Sequence, residues 1–253
     1  MTMKPPLYIY GIHAVEALLK KTPERVQELF IQEGRIDLRV QNITQLAKQA
    51  KITVQTASRQ ALDDRLGQAV HQGVLVRVSN PPQYAEADLM VLLDSLHEPA
   101  FLLILDGVQD PHNLGACLRS ANAAGVHAVI IPKDKSASLT PAVHKVAAGA
   151  AEVTPLIQIT NLARVLRDLK ERGVWIYGAS DAANKTIYQA DLQGPLALVL
   201  GAEGSGLRRL TAEHCDQLLR IPMLGTVSSL NVSVATGVCL FEALRQRAPT
   251  FKA

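Results

Sequence analysis

From residue 100 onward the chain repeats one rhythm: a short apolar run, a loop, then a helical stretch. The runs lie at 101–105, 128–131, 154–159, 174–177, 196–200 and 217–221. A strand with one wet face alternates apolar and polar residues. Most of these runs are nearly continuous instead, which suits strands buried on both faces of a mostly parallel sheet. Helices are expected between them at 114–124, 141–148, 162–172 and 207–215, with a last one from Leu230. The class is therefore α/β. In open parallel sheets, ligands sit beyond the carboxyl ends of the strands. Those ends carry Asp106-Gly107, Gly178, Gly201-Ala202-Glu203-Gly204 and the stretch from Pro222 to Gly225.

The first 78 residues read as a separate small α/β domain. Helices are expected at 11–20 and 38–50, and strands at 26–31, 52–56 and 73–78. Ser79-Asn80-Pro81-Pro82 breaks the last of these strands. Residues 79–98 are expected to be a linker containing a short helix, with a second domain over 99–253. Charge follows this division. Residues 1–78 hold 11 Lys/Arg against 7 Asp/Glu, a balance of +4, while 79–253 hold 15 against 16, a balance of −1. The excess in the smaller part is compatible with a phosphate-rich partner.

Composition excludes several classes. No apolar run approaches the roughly 18 residues of a membrane span, and no secretory leader is apparent. Cytoplasmic localisation is expected. Cys117, Cys215 and Cys239 are odd in number and far apart, which suggests neither a disulfide framework nor zinc. The seven histidines form no ligand spacing, so no metal is expected.

Three stretches carry the chemistry. The first, residues 106–119, opens with Asp106-Gly107 and runs through Asp110-Pro111-His112-Asn113 to Arg119. Asn113 is placed at a helix start, with Arg119 nearly two turns on and on roughly the same side. An arginine among small and apolar residues needs a partner, and Asp106 or Asp110 would serve. The second, Gly201-Ala202-Glu203-Gly204-Ser205-Gly206, is neither the dinucleotide fingerprint nor a P-loop. Glu203 within it must be solvated or engaged. The third, residues 221–236, reads as a strand end, a tight loop and a helix capped by Ser228 or Ser229. Its apolar positions are Leu230, Val234, Val238 and Phe241.

Together these stretches closely resemble the three motifs of the SpoU/TrmH family of RNA ribose 2′-O-methyltransferases, of the SPOUT class. The matching residues are Asp-Pro-x-Asn-x-Gly at 110–115 with Arg119, Gly-Ala-Glu-Gly-x-Gly at 201–206, and Ile-Pro-Met-x-Gly-x-x-x-Ser-Leu-Asn-Val-Ser-Val-Ala at 221–235. The N-terminal part resembles that of the bacterial 23S ribosomal RNA guanosine methyltransferases, through Ile9 to Val15 and Val70-His71-Gln72-Gly73. The resemblance implies a deep trefoil knot in the C-terminal domain, a topology that general rules of folding would reject. It also implies an RNA-binding N-terminal domain and a homodimer.

The resemblance further implies S-adenosyl-L-methionine held by Gly201, Ile221, Met223 and Leu230. Arg119 is then the residue that assists attack by the 2′-oxygen. A guanidinium does not readily surrender its proton, so stabilisation of the developing alkoxide is the favoured role. Asn113 and Glu203 are expected to fix Arg119 or the ribose, and Ser229 and Asn231 to position the substrate or a neighbouring subunit's loop. His112 is ranked a bystander. The expected partner is 23S ribosomal RNA, free or in an assembling large subunit. The alternatives are a transfer-RNA ribose methyltransferase and a non-catalytic RNA-binding assembly factor.

Overall fold

The computed structural model describes residues 6–67, 71–79 and 83–247. Val70 and the break at Asn80-Pro81-Pro82 lie outside the described residues. The chain forms two units. One takes the described residues of Met1–Pro82 together with Leu139–Val153; the other takes Gln83–Ser138 and the described residues of Thr154–Ala253.

The elements of the first unit are β1 (Leu7–Tyr10), α1 (Ile12–Lys21), β2 (Val26–Gln32), α2 (Leu38–Gln49), β3 (Thr53–Ala57), α3 (Arg59–Leu66) and β4 (Val74–Val78). Its sheet has the order β1-β4-β2-β3, in which only the β2–β3 pair is parallel. Side chains alternate between its two faces. Leu29, Ile31, Val74 and Val76 join a core with Val15, Leu18, Val40 and Ile43 from α1 and α2. Phe30 and Leu75 point the other way, onto Leu62 of α3. Asp37 and Ser58 accept backbone N–H bonds at the starts of α2 and α3.

The second unit continues with β5 (Tyr84–Ala85), α4 (Glu86–Ser95), β6 (Phe101–Asp106), α5 (Pro111–Ala123) and β7 (Ala128–Pro132). Helix α6 (Pro141–Ala147) then belongs to the first unit, packed on β1 and α1. There Glu152 pairs with both His144 and Arg25, all three buried. The second unit resumes with β8 (Leu156–Ile159), α7 (Leu162–Glu171), β9 (Trp175–Ala179), β10 (Lys185–Thr186), β11 (Leu196–Gly201), α8 (Arg209–His214), β12 (Gln217–Arg220) and α9 (Val232–Arg247).

Its sheet has the order β10-β12-β9-β11-β6-β7-β8-β5, and every pairing is parallel. Leu102, Ile104, Ile130 and Val199 meet Leu89 of α4 and Val165, Leu166 and Leu169 of α7 on one face. Leu103, Leu105, Leu198 and Leu200 are equally buried; on α9's side of β11, α9 also packs on α5. Burial on both faces is why these strands are apolar throughout. The stretch 79–98, expected as a linker, contains β5 and α4. Leu89 is fully buried in the second unit's core and β5 pairs with β8, so this part belongs to the packed unit.

Candidate active site

The carboxyl ends of β12, β9 and β11 lie side by side in the sheet, where the strand order departs from the chain order. A cavity of about 470 Å³ opens there, inside the range of about 300–1,000 Å³ typical of ligand sites. Gly201, Ile221, Met223 and Leu230 line it, as do Glu203 and Ser229. Six of the nine residues singled out in the sequence therefore share one wall system. Residues 221–230 make no backbone–backbone hydrogen bond among the described residues. Ten successive residues thus keep donors and acceptors free to read the edge of a ligand.

Asp110 caps α5 by accepting the N–H of His112 at 3.0 Å, with Pro111 preset for the first turn. That turn presents Asn113, which donates through Nδ2 to Glu203 Oε2 at 3.3 Å. Asn231 donates to Asn113 Oδ1 at 3.0 Å and to Glu203 Oε2 at 3.4 Å. The three stretches of the sequence are joined by these bonds. The bonds run among the amides and the carboxylate, and none reaches Arg119, one of the two targets expected for Asn113 and Glu203.

The cap of α9 is also different. Neither Ser228 nor Ser229 provides it. Asn231 Oδ1 accepts the N–H of Ser233 at 2.9 Å and its hydroxyl at 2.6 Å. The amide caps through its oxygen while its nitrogen donates to both Asn113 and Glu203, and a serine hydroxyl has only one donor. The helix therefore begins at Val232, and Leu230 lies in the loop before it.

Arg119 is exposed and makes no hydrogen bond or ion pair among the described residues. The expected partners are occupied: Asp110 by its own cap, Asp106 by Arg208. Six residues at 3.6 per turn also leave Arg119 about a third of a turn from alignment with Asn113, so the two do not share one side of α5. Arg119 is not among the residues lining the cavity.

Gly201 has a structural reason of its own. A Cβ there would collide with the backbone of Gly206 and Leu207, because the loop folds back on its own start. The glycine serves that return as well as the cavity wall. Sequence reasoning missed Ala179, Ser180 and Asp181, which line the cavity from the end of β9. The signal was a serine and an aspartate directly after an apolar run. It also missed the pairing of Asp106 with Arg208, signalled by a lone carboxylate closing a wholly apolar strand. His112 is exposed and contributes only its backbone N–H. No group of three or more His, Cys, Asp or Glu among the described residues could hold a metal ion, and no helix among them is long and apolar enough to cross a membrane.

A model of the SpoU rRNA methylase family matches residues 100–241, and one for RNA 2′-O ribose methyltransferase substrate binding matches residues 8–84. The chain is 60% identical over 239 residues to the 23S rRNA (guanosine-2′-O-)-methyltransferase RlmB of Escherichia coli strain K12, covering 94% of this chain and 98% of that protein. Among solved structures it is similar to the SpoU methyltransferase AviRb from Streptomyces viridochromogenes in complex with AdoMet. That likeness has a TM-score of 0.78 at 21% identity, over 96% of this chain and 90% of the other. It is also similar to a crystal structure of an RNA 2′-O ribose methyltransferase, with a TM-score of 0.77 at 26% identity, over 96% and 89% of the two chains.

Proposed function

The chain belongs to the SpoU rRNA methylase family, and on that premise we propose how the cavity and its loops carry out the family's reaction. The protein is an RNA 2′-O-methyltransferase that uses S-adenosyl-L-methionine, and it acts on a guanosine ribose of 23S ribosomal RNA. One observation carries this: the likeness to the guanosine methyltransferase runs through both units and nearly the whole of both chains.

The cavity fits the cofactor. Its walls combine apolar side chains at Ile221, Met223 and Leu230 with the unpaired backbone of 221–230. The carboxylates of Asp181 and Glu203 give it the sign that suits a cationic sulfonium. Gly201, Ile221, Met223 and Leu230 hold the cofactor in this reading. Bound there, it supplies an electrophilic methyl group.

The protein's part is placement and charge. Arg119, a permanent cation, stabilises the charge that develops on the attacking 2′-oxygen, and the proton leaves to a phosphate oxygen or water. Asn113, Glu203 and Asn231 form the rigid floor on which the ribose is set. Ser229, at the exposed rim, positions the substrate.

Two further assignments follow. Helix α9 exposes Val234 and Phe241, at 52% and 48%, with Val238 between them. We assign this stripe to a second copy of the chain, making the enzyme a homodimer. After β12 the chain returns through 221–231 to α9, which packs on α5 and β11; we assign to this return the family's deep trefoil knot. The first unit, with its excess of positive charge, is the RNA-binding module, and the enzyme works in the cytoplasm, where ribosomal RNA is made. Labelled S-adenosylmethionine and unmodified 23S RNA test the reading. Methyl transfer to a guanosine 2′-oxygen of that RNA, with none to transfer RNA, is expected. Transfer to transfer RNA alone would move the assignment to that substrate, and RNA binding without transfer would make the chain an assembly factor.

A further inference from the structure

We infer that Asp106, which has no part in the reaction as described so far, is a positioning residue: its carboxylate holds the exit of the 201–207 loop beside the strand through which the loop is entered, and so sets where Glu203 stands. The inference rests on the reading of Glu203 as part of the methyl-transfer site.

Asp106 is the last residue of β6, near the middle of the sheet, and its side chain is fully buried. A carboxylate in such a place needs donors or an opposite charge. Oδ2 accepts the backbone N–H of Arg208 at 3.1 Å, and the guanidinium of Arg208 stands 3.4 Å from Oδ1. Arg208 is where the chain leaves the loop. Where the chain enters it, Gly201 stands beside Asp106 in the register of β11 and β6. The backbone of Asp106 therefore neighbours the entry leg in the sheet, while its carboxylate holds the exit leg.

Between the legs the loop is pinched. Ala202 and Gly206 form an antiparallel bridge, with Gly206 N–H donating to Ala202 O at 2.9 Å. Glu203 projects from this closed loop to Asn113 and Asn231. If the exit leg were released from Asp106, the pinch alone would hold the loop and Glu203 would drift from its two amide donors. Geometry at a reacting centre is unforgiving: a shift of about 1 Å can cost about 100-fold in rate.

The test uses two full-length variants. Asp106→Asn keeps an oxygen for the Arg208 N–H; Asp106→Leu fills similar space and offers none. Turnover on 23S RNA, the cofactor KM, and hydrogen–deuterium exchange over 201–208 are measured on both. Asp106→Asn should stay close to the parent. Asp106→Leu should lose about 100-fold in kcat, with faster exchange over 201–208 and unchanged protection in β6 and β11. Turnover and exchange matching the Asn variant would overturn the clamp. Should the Leu variant not fold, Arg208 supplies a second pair. Its φ of −63° is one that proline adopts, so Arg208→Pro deletes the donor that Arg208→Ala retains. Loss of turnover in the Pro variant alone supports the clamp, and equal activity refutes it. Glu203→Gln separates the two readings. If it is inactive while Asp106→Leu is not, only the clamp fails. If Glu203→Gln is fully active, the role given to Glu203 fails, and with it the clamp's effect on turnover.

Discussion

Asn231 donates to Asn113 at 3.0 Å, tying the start of α9 to the first turn of α5 across 118 positions of sequence. The same amide caps α9 through its oxygen. Cap and link thus draw on one side chain, and substitution can separate the two.

Asn231→Asp keeps an oxygen for the cap but replaces the donor with a carboxylate facing Glu203. Methyl transfer should fall by about 100-fold while the melting temperature holds. Asn231→Ala loses the cap as well, at about 1 kcal/mol, or about 2–4 °C for a chain of this size. Thermal melts beside turnover measurements check both. Full turnover in the Asp variant would reduce Asn231 to a cap.

Arg119 is exposed and without a partner among the described residues, so its removal should cost the fold less than about 0.5 kcal/mol. Arg119→Ala should bind S-adenosylmethionine as tightly as the parent by calorimetry and show no methyl transfer. Arg119→Lys keeps a charge but loses the planar fork, and should recover only part of the rate. Weakened cofactor binding in the Ala variant would put Arg119 in the cofactor pocket instead.

The parallel sheet was legible because burial on both faces leaves its mark on every residue of a strand. Most predicted strands lie within a residue or two of the observed ones. Helix α3 was not read, since it buries only Leu62 and its other residues are largely polar. The two-residue strands β5 and β10 carry too little pattern to see. Sequence pattern also cannot tell which of a helix's apolar positions its own chain buries. Leu230, Val234, Val238 and Phe241 have helical spacing, yet α9 buries Val232, Thr236, Cys239, Leu240 and Ala243 instead. Within the site, motif likeness named the loops but not the bonds between them. The links of Asn113, Glu203 and Asn231, or of Asp106 with Arg208, are set by strand order across separations of 28 to 118 residues.

The buried thiols predict how stability depends on pH. Burial pushes Cys239 up to about 12, from an ordinary value of 9.0. Burial also pushes Cys117 up to about 11, outweighing its hydrogen bond with Thr236. Above about pH 9 the unfolded chain releases these protons while the folded chain keeps them. The unfolded state then binds fewer protons, so stability must fall as pH rises, by about 1.4 kcal/mol per unit for each thiol until its folded pKa is reached. Below pH 8 neither thiol contributes. Urea midpoints at pH 8 and pH 10.5 measure the slope, and Cys239→Ala should lessen it by about one thiol's share, about 1.4 kcal/mol per unit. An unchanged slope would mean that the thiol titrates alike in both states.

The stripe on α9 yields the last prediction. Val234 and Phe241 are seven residues apart, two turns on one side of the helix, with Val238 between. Both are about half exposed in a single chain, and covering them stabilises a dimer by roughly 25 cal/mol for each Å² of apolar surface removed from water. A glutamate there faces water harmlessly in a monomer but cannot be desolvated without a partner. Val234→Glu with Phe241→Glu should therefore leave the melting of the single chain nearly unchanged and shift sedimentation from dimer to monomer. Turnover should be lost with the dimer if Arg119 acts beside a site completed by the second copy. A parent protein that sediments as a monomer at micromolar concentration would remove the homodimer from the mechanism and leave the stripe without a purpose in this reaction.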